Sequence, residues 1–268
     1  MEPKSERRLK GVTIEPLEEC TDTATLIEAP YPHAYLPRLF ERRKLLAVRR
    51  ELTSLATTYK ETDLFKVFQT GDLANLDDAA HAAILPYTLA LRAALYAPRF
   101  RRFVERLTGC DELTEQTDMS CNSYARGGHL LCHDDVIGTR CVSYIIYLGR
   151  PERPWKPADG GALELHELDE ATSEPRGAPT LALPPEFGAV ALFAVAPGRS
   201  FHSVAEVLSA DDRRLSLSGW FHARAPPKGA ETSASLAQLE AASRARRFAR
   251  VPRPLATSRQ CLRSLAEI

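Results

Sequence analysis

Apolar residues recur three and four positions apart at Leu36, Leu39, Phe40, Leu45, Val48, Leu52 and Leu55 among many charges. That period predicts an amphipathic helix from Leu36 to about Tyr59. A second helical stretch is predicted over 77–109, broken near Pro86 and again at Pro98. In its last part Phe100, Phe103, Val104 and Leu107 form one stripe, Pro98 suits a first helical turn, and Gly109 suits the stop. From about Met119 the pattern shortens. Strands are predicted over 119–124, 129–132, 141–148, 162–166, 180–183, 189–195, 200–207 and 215–223, separated by Gly, Pro and charged turns. Eight short strands after a helical lead-in predict a mainly β fold with a helical N-terminal layer, a two-sheet jelly roll whose helices cover one sheet face. The expected organisation is a flexible segment over 1–35, a helical support region over 36–115, the β domain over 116–225, and a basic tail over 226–268 with a short helix at 231–247.

Composition narrows the setting without supplying a function. The 35 basic and 35 acidic residues cancel, so no global field draws the chain to nucleic acid or membrane, and any attraction is local. One such accumulation is Arg244, Arg246, Arg247, Arg250 and Arg253, with no acid until Glu267. The first ten residues are highly charged and no apolar run reaches membrane-spanning length, so neither a secretory signal nor a membrane span is expected. The expected compartment is cytoplasmic and/or nuclear. Six cysteines, at 20, 110, 121, 132, 141 and 261, form no C-x-x-C pair and read as scattered, mostly buried apolar residues rather than disulfides. Cys132 adjoins His133, but an extended backbone would point its side chain the opposite way.

The candidate chemistry lies in the β region. In an extended segment residues i and i+2 share a face, so His133 and Asp135 can reach one metal ion while Asp134 faces away. With His202 they make a two-histidine, one-carboxylate set that leaves coordination positions open, as a non-haem Fe(II) oxygenase needs. The same three ligand types also hold Zn²⁺, which would make a hydrolase. On the last strand, alternation sets Arg214, Ser216, Ser218 and Trp220 on one face, and Leu215, Leu217 and Phe221 on the other. If both faces are covered, Arg214 requires a buried anion, because an unpaired buried charge is very costly. Gly160 and Gly161 are expected to permit close backbone approach. His33, His81, His129, His166 and His222 have no spacing partner that demands a metal.

Four stretches carry a family resemblance: LLCHDDV ending at Val136, GGALEL over 160–165, FHSVAEV over 201–207 and RLSLSGWFH over 214–222. Together they resemble the 2-oxoglutarate- and Fe(II)-dependent prolyl hydroxylases, and within them the ribosomal-protein prolyl 3-hydroxylases. The stretch DLFKVFQ over 63–69, followed by Gly71, Asp72 and Leu73, resembles the segment preceding that group's catalytic core. The resemblance covers roughly 63–225. It implies a double-stranded β-helix, Fe(II) held by His133, Asp135 and His202, and 2-oxoglutarate held through its distal carboxylate by Arg214. Ser216 and the hydroxyl of Tyr147 would add hydrogen bonds, and Tyr124 would line the same pocket. Arg140 and Asn122 lie where substrate would enter but are read as solvated or structural. The implied substrate is a prolyl residue of a protein, a small-subunit ribosomal protein by analogy, with L-ascorbate keeping the iron reduced. That group usually carries a second, degenerate β-helix domain, which is not expected within the residues after Ala225. Two rival readings remain: a non-catalytic translation-associated module docking through its basic tail, which could also contact RNA, and a zinc hydrolase, which would leave the Arg-x-Ser of 214–216 unexplained.

Overall fold

The computed structural model describes residues 12–169 and 171–230. In chain order its elements are α1 (Glu18–Thr23), β1 (His33–Leu36), α2 (Arg42–Leu52), β2 (Thr58–Glu61), β3 (Phe65–Gln69), α3 (Asp78–His81), α4 (Pro86–Tyr96) and α5 (Pro98–Thr108). There follow β4 (Leu113–Thr117), β5 (Ser120–Tyr124), β6 (His129–His133), β7 (Arg140–Tyr147), β8 (Leu163–Leu165), β9 (Leu181–Leu183), β10 (Val190–Ala194), β11 (His202–Val204) and β12 (Arg214–Ala223).

The helical layer follows from local signals. Pro98 opens α5, where its missing N–H costs nothing, and Gly109 closes it at φ 68° with its N–H on Glu105 O at 2.9 Å. Between them Phe100, Phe103, Val104 and Leu107 are buried. Helix α4 likewise begins on a proline, and its N-terminus is capped from another helix. Glu51 of α2 accepts the backbone N–H groups of Tyr87 (3.0 Å) and Thr88 (2.7 Å) and the Thr88 hydroxyl (2.7 Å). These helices share one hydrophobic cluster with Val142, Tyr144 and Ile146 of β7, Leu192 of β10, and Leu215, Leu217 and Phe221 of β12. At roughly 1.5–3 kcal/mol for each fully buried apolar side chain, this layer is a main source of stability.

Twelve antiparallel strands form one continuous sheet in the order β1-β10-β7-β12-β5-β3-β6-β11-β8-β9, with β2 on β3 and β4 on β12. The path folds back on itself: side chains of β12 reach the loop after β6 and the entry to β8, as described below, so the sheet encloses a cleft. This is the jelly roll expected from the sequence. Strand β12 is its central support, pairing with β7, β5 and β4.

Three expectations need correction. The predicted helix over 36–59 is only Arg42–Leu52. Leu36 ends a strand paired with β10, and Leu39 and Phe40 bury from the turn that follows, so one core collects a helix-like series from three kinds of backbone. Within 1–35, residues 12–35 hold α1 and most of β1, and bury Ile14, Tyr31 and Ala34. The support region of 36–115 also contributes strands β2, β3 and β4. No described helix is long and apolar enough to cross a membrane. The predicted helix over 231–247, the arginine run and Cys261 lie outside the described residues.

Candidate active site

A cleft of about 530 Å³ opens inside the curled sheet, with His133, Asp135, His202, Arg214, Ser216, Ser218 and Trp220 among its walls. His133 ends β6 and His202 begins β11, and the two are directly paired across that ladder, with ring centroids 4.2 Å apart. Each ring nitrogen Nδ1 lies 2.9 Å from a backbone carbonyl two residues earlier, Leu131 O for His133 and Ser200 O for His202. A carbonyl only accepts, so Nδ1 carries the proton and Nε2 is left as the donor atom facing the cleft. The Asp135 carboxylate stands between them, with Oδ1 3.1 Å from His133 Nε2 and Oδ2 3.4 Å from His202 Nε2.

All three residues are buried, and their ligand atoms lie within 4.8 Å of one another, the one such cluster among the described residues. Ligands about 2.1 Å from a common first-row ion and at right angles stand about 3 Å apart, and each imidazole has an Asp135 oxygen near that distance, Oδ1 for His133 and Oδ2 for His202, so a small turn of the carboxylate would let the cluster close on one metal. Burial pushes the Asp135 carboxyl up, but His202 and His133 more than reverse this and hold it well below the usual carboxylate range. For His133, burial pulls the imidazole down and Asp135 raises it further than burial lowers it.

Asp135 does not reach this position by strand alternation. Its φ is 63°, in the left-handed region, so the chain has left β6 and the loop itself turns the carboxylate inward. Asp134 stays out of the cluster, as expected, but points into the protein rather than to solvent. It is buried, and its carboxylate accepts the N–H groups of Val136 (3.3 Å) and Gly198 (3.0 Å), tying the loop to the turn before β11. A second support comes from across the cleft, where Trp220 Nε1 donates to Asp135 Oδ2 at 2.9 Å.

Alternation along β12 holds as predicted. Arg214 is 2 % exposed, among the largest fully buried side chains of the protein. Its Nε donates to Gly161 O at 2.7 Å and its Nη1 lies 3.4 Å from Ser216 Oγ, while Nη2 is buried without a partner. The guanidinium carbon lies 5.1 Å from the ring centre of Tyr124 and 5.2 Å from that of Tyr147, and the buried Tyr147 hydroxyl also lacks a partner. Burial pushes the Tyr147 phenol up to about 12 and raises Tyr124 as well, with Arg214 tempering both, so both hydroxyls remain protonated donors at neutral pH. A cation with one buried N–H group left unpaired, beside a buried hydroxyl that reaches only toward the same guanidinium, forms a socket for an anion.

In the cleft, Arg140 and Asn122, read from the sequence as solvated or structural, both have partners within the protein. Arg140 lines the cleft, stacked with its guanidinium 3.4 Å from the Trp220 ring centre and near Asp118 (3.9 Å). Asp118 also faces His222 Nε2 at 3.2 Å, and this hydrogen bond holds its carboxyl below the usual range. Asn122 is committed to structure, accepting from Gln69 (2.8 Å) and donating to Ser218 (2.7 Å). The Trp220 role had a partial signal, since alternation set it on the cleft face, but nothing in the sequence links it to Asp135. Cys132 is buried and does not join the metal cluster.

A family model described as the 2OG-Fe(II) oxygenase superfamily matches residues 119–222. Prolyl 3,4-dihydroxylase OGFOD1 of Ostreococcus tauri is 48% identical over 199 residues, which are 73% of this chain and 38% of that protein. Prolyl 3-hydroxylase OGFOD1 of Xenopus laevis is 35% identical over 211 residues, 77% of this chain and 38% of its own length. The chain thus spans 38% of the length of these curated relatives. Two solved structures share the fold. A prolyl 4-hydroxylase of Phytophthora capsici superposes with TM-score 0.52 at 20% identity, over 72% of this chain and 59% of that one. A prolyl hydroxylase of Trichoplax adhaerens, in complex with a hypoxia inducible factor oxygen degradation domain peptide, superposes with TM-score 0.51 at 14% identity, over 71% and 83%.

Proposed function

From the match of residues 119–222 to the 2OG-Fe(II) oxygenase superfamily, we propose that the chain is a 2-oxoglutarate- and Fe(II)-dependent dioxygenase that hydroxylates a prolyl residue of a protein. The observation that carries this reading is the pairing of a buried His-Asp-His cluster with a buried, partly unpaired Arg214 in one cleft. A binding module has no use for all four residues, and a zinc hydrolase has no use for the anion socket. The 38% coverage of the named relatives makes the substrate a proposal in its own right.

When bound, Fe(II) and 2-oxoglutarate supply oxidative chemistry, in which dioxygen is consumed, the co-substrate yields succinate and CO₂, and one oxygen atom enters a C–H bond. The chain's own residues orient this chemistry. His133 and His202 present Nε2 because backbone carbonyls hold Nδ1–H, and Trp220 holds the carboxylate of Asp135. Arg214 and Tyr147 would take the distal carboxylate of 2-oxoglutarate, with Ser216 steadying the guanidinium and the face of Tyr124 shaping the wall. Leu163, Val204 and Ile145 line the same cleft and would give the substrate an apolar wall. The substrate class implied by the relatives' names is a protein prolyl residue. The ribosomal target, ascorbate as reductant, the cytoplasmic or nuclear setting and an RNA contact through the basic tail belong to this reading as proposals.

The test is succinate formation by the full chain with prolyl peptides, scored with and without Fe(II), together with the mass of the product peptide. The reading requires iron- and peptide-dependent succinate and a gain of one oxygen on proline. Iron-independent peptide cleavage, or zinc-supported hydrolysis, would replace it with the hydrolase.

A further inference from the structure

The Gly160–Gly161 pair and the indole before it lie outside the metal cluster, yet their hydrogen bonds converge on Arg214. Trp155 Nε1 donates to Gly160 O at 2.7 Å, and Gly161 O in turn accepts Arg214 Nε at 2.7 Å. Both glycines have positive φ, 69° and 67°, which other residues rarely adopt. The fit is tight. A Cβ at Gly160 would lie 1.9 Å from Glu206 O, and one at Gly161 would lie 3.2 Å from Arg214 Cδ and 3.3 Å from Trp155 Cζ2.

The segment is also anchored from behind. Asp159 accepts the Lys156 N–H (2.9 Å) and an Arg153 N–H (3.0 Å), and its carbonyl accepts the Leu208 N–H (2.8 Å). The ring of Trp155 packs on the cluster of Val67, Tyr124, Val204 and Val207. The Gly161 carbonyl is therefore fixed in direction before Arg214 meets it. That matters because a guanidinium offers three edges and can turn any of them toward a ligand. With Nε held by Gly161 and Nη1 near Ser216, Nη2 is the group left without a partner.

We propose that Trp155 is a positioning residue: acting through the Gly160–Gly161 backbone, it fixes the face that Arg214 presents to the distal carboxylate of 2-oxoglutarate. This rests on the co-substrate reading above and deepens it. Trp155 touches neither metal nor co-substrate in this scheme, so its effect must be selective for ligands that use Arg214.

The experiment uses the full chain, loaded with Fe(II) without oxygen and titrated calorimetrically with 2-oxoglutarate and with 2-oxobutanoate, which keeps the metal-chelating oxoacid and lacks the distal carboxylate. Trp155→Phe retains the packing and deletes the indole N–H. It should weaken 2-oxoglutarate binding about tenfold, on the scale of one buried hydrogen bond, and leave 2-oxobutanoate unchanged. Gly161→Ala, which crowds Arg214 Cδ directly, should give the same selective loss and serves if the indole change impairs folding. Unchanged 2-oxoglutarate affinity, or equal weakening of both ligands, would overturn the positioning role. If the unsubstituted chain itself binds both ligands alike, the distal-carboxylate clamp fails, and the inference falls with the reading beneath it.

Discussion

Replacing Arg214 by Met separates the clamp from the metal centre. The substitution keeps much of the buried aliphatic stem and removes the charge, so two consequences of opposite sign follow. In the ligand-free protein it leaves Gly161 O without its 2.7 Å donor, which costs about 1–3 kcal/mol, but it also removes a buried guanidinium whose Nη2 has no partner. Net stability should therefore change by no more than about 2 kcal/mol, either way. Binding has no such offset. A truncated charge-assisted contact in a buried site typically costs about 2–5 kcal/mol, and a mid-range value of about 3 kcal/mol corresponds to roughly a hundredfold weaker 2-oxoglutarate. Arg214→Lys should recover only part of this, because an ammonium cannot serve Gly161 O and the ligand in the same fork. The assay is anaerobic titration of 2-oxoglutarate into the Fe(II)-loaded variant, with Fe(II) affinity measured separately. Undiminished 2-oxoglutarate affinity with normal iron binding would refute the socket and every step built on Arg214.

Further outcomes follow from the metal cluster and its supports. His133→Ala, Asp135→Ala and His202→Ala should each abolish Fe(II) binding and turnover while circular dichroism stays native-like; substantial turnover by Asp135→Ala would remove that residue from the ligand set. Asp134→Ala should instead keep Fe(II) binding and lose about 1–3 kcal/mol of stability in urea unfolding, because Val136 and Gly198 lose their acceptor. Trp220→Phe deletes the donor to Asp135 Oδ2 and should weaken Fe(II) about 10- to 100-fold with little change in melting temperature, as read by competition with a chelator. Gly219→Ala should give little soluble folded protein, since its Cβ would lie 1.8 Å from Asp118 O, and a native-like melt would contradict that packing.

What was legible in the sequence was what regular backbone repeats. Alternation along 214–220 sorted cleft from core because β12 is an uninterrupted ten-residue strand. Pro98 and Gly109 marked the ends of α5 to the residue because caps are local chemistry. The same logic named the three residues that cluster in the cleft, but for a partly wrong reason: Asp135 joins His133 through a left-handed loop residue, which no periodicity announces. The four strands that were missed are short, and β2 is exposed at every position, so they carry no alternating signal. Contacts between distant parts of the chain were out of reach altogether. Glu51 capping α4, Trp220 holding Asp135 and Trp155 bracing the glycines depend on how the sheet closes, and the sequence around each is ordinary.

The left-handed backbone at residue 135 makes the three candidate metal-binding positions unequally replaceable. At 133 and 202, which sit on paired strands, any side chain able to donate to a metal is compatible with the backbone, so only coordination restricts the choice. At 135 two filters act at once. The φ of 63° favours Gly, Asn or Asp, while coordination asks for an anionic oxygen on a short arm, and Asp alone passes both. Glutamate would keep the charge but lengthen the arm and strain the turn, and glycine would relax the turn and leave a coordination position bare. A library screened only for folding should therefore lose both histidines freely while holding position 135 to glycine, asparagine or aspartate.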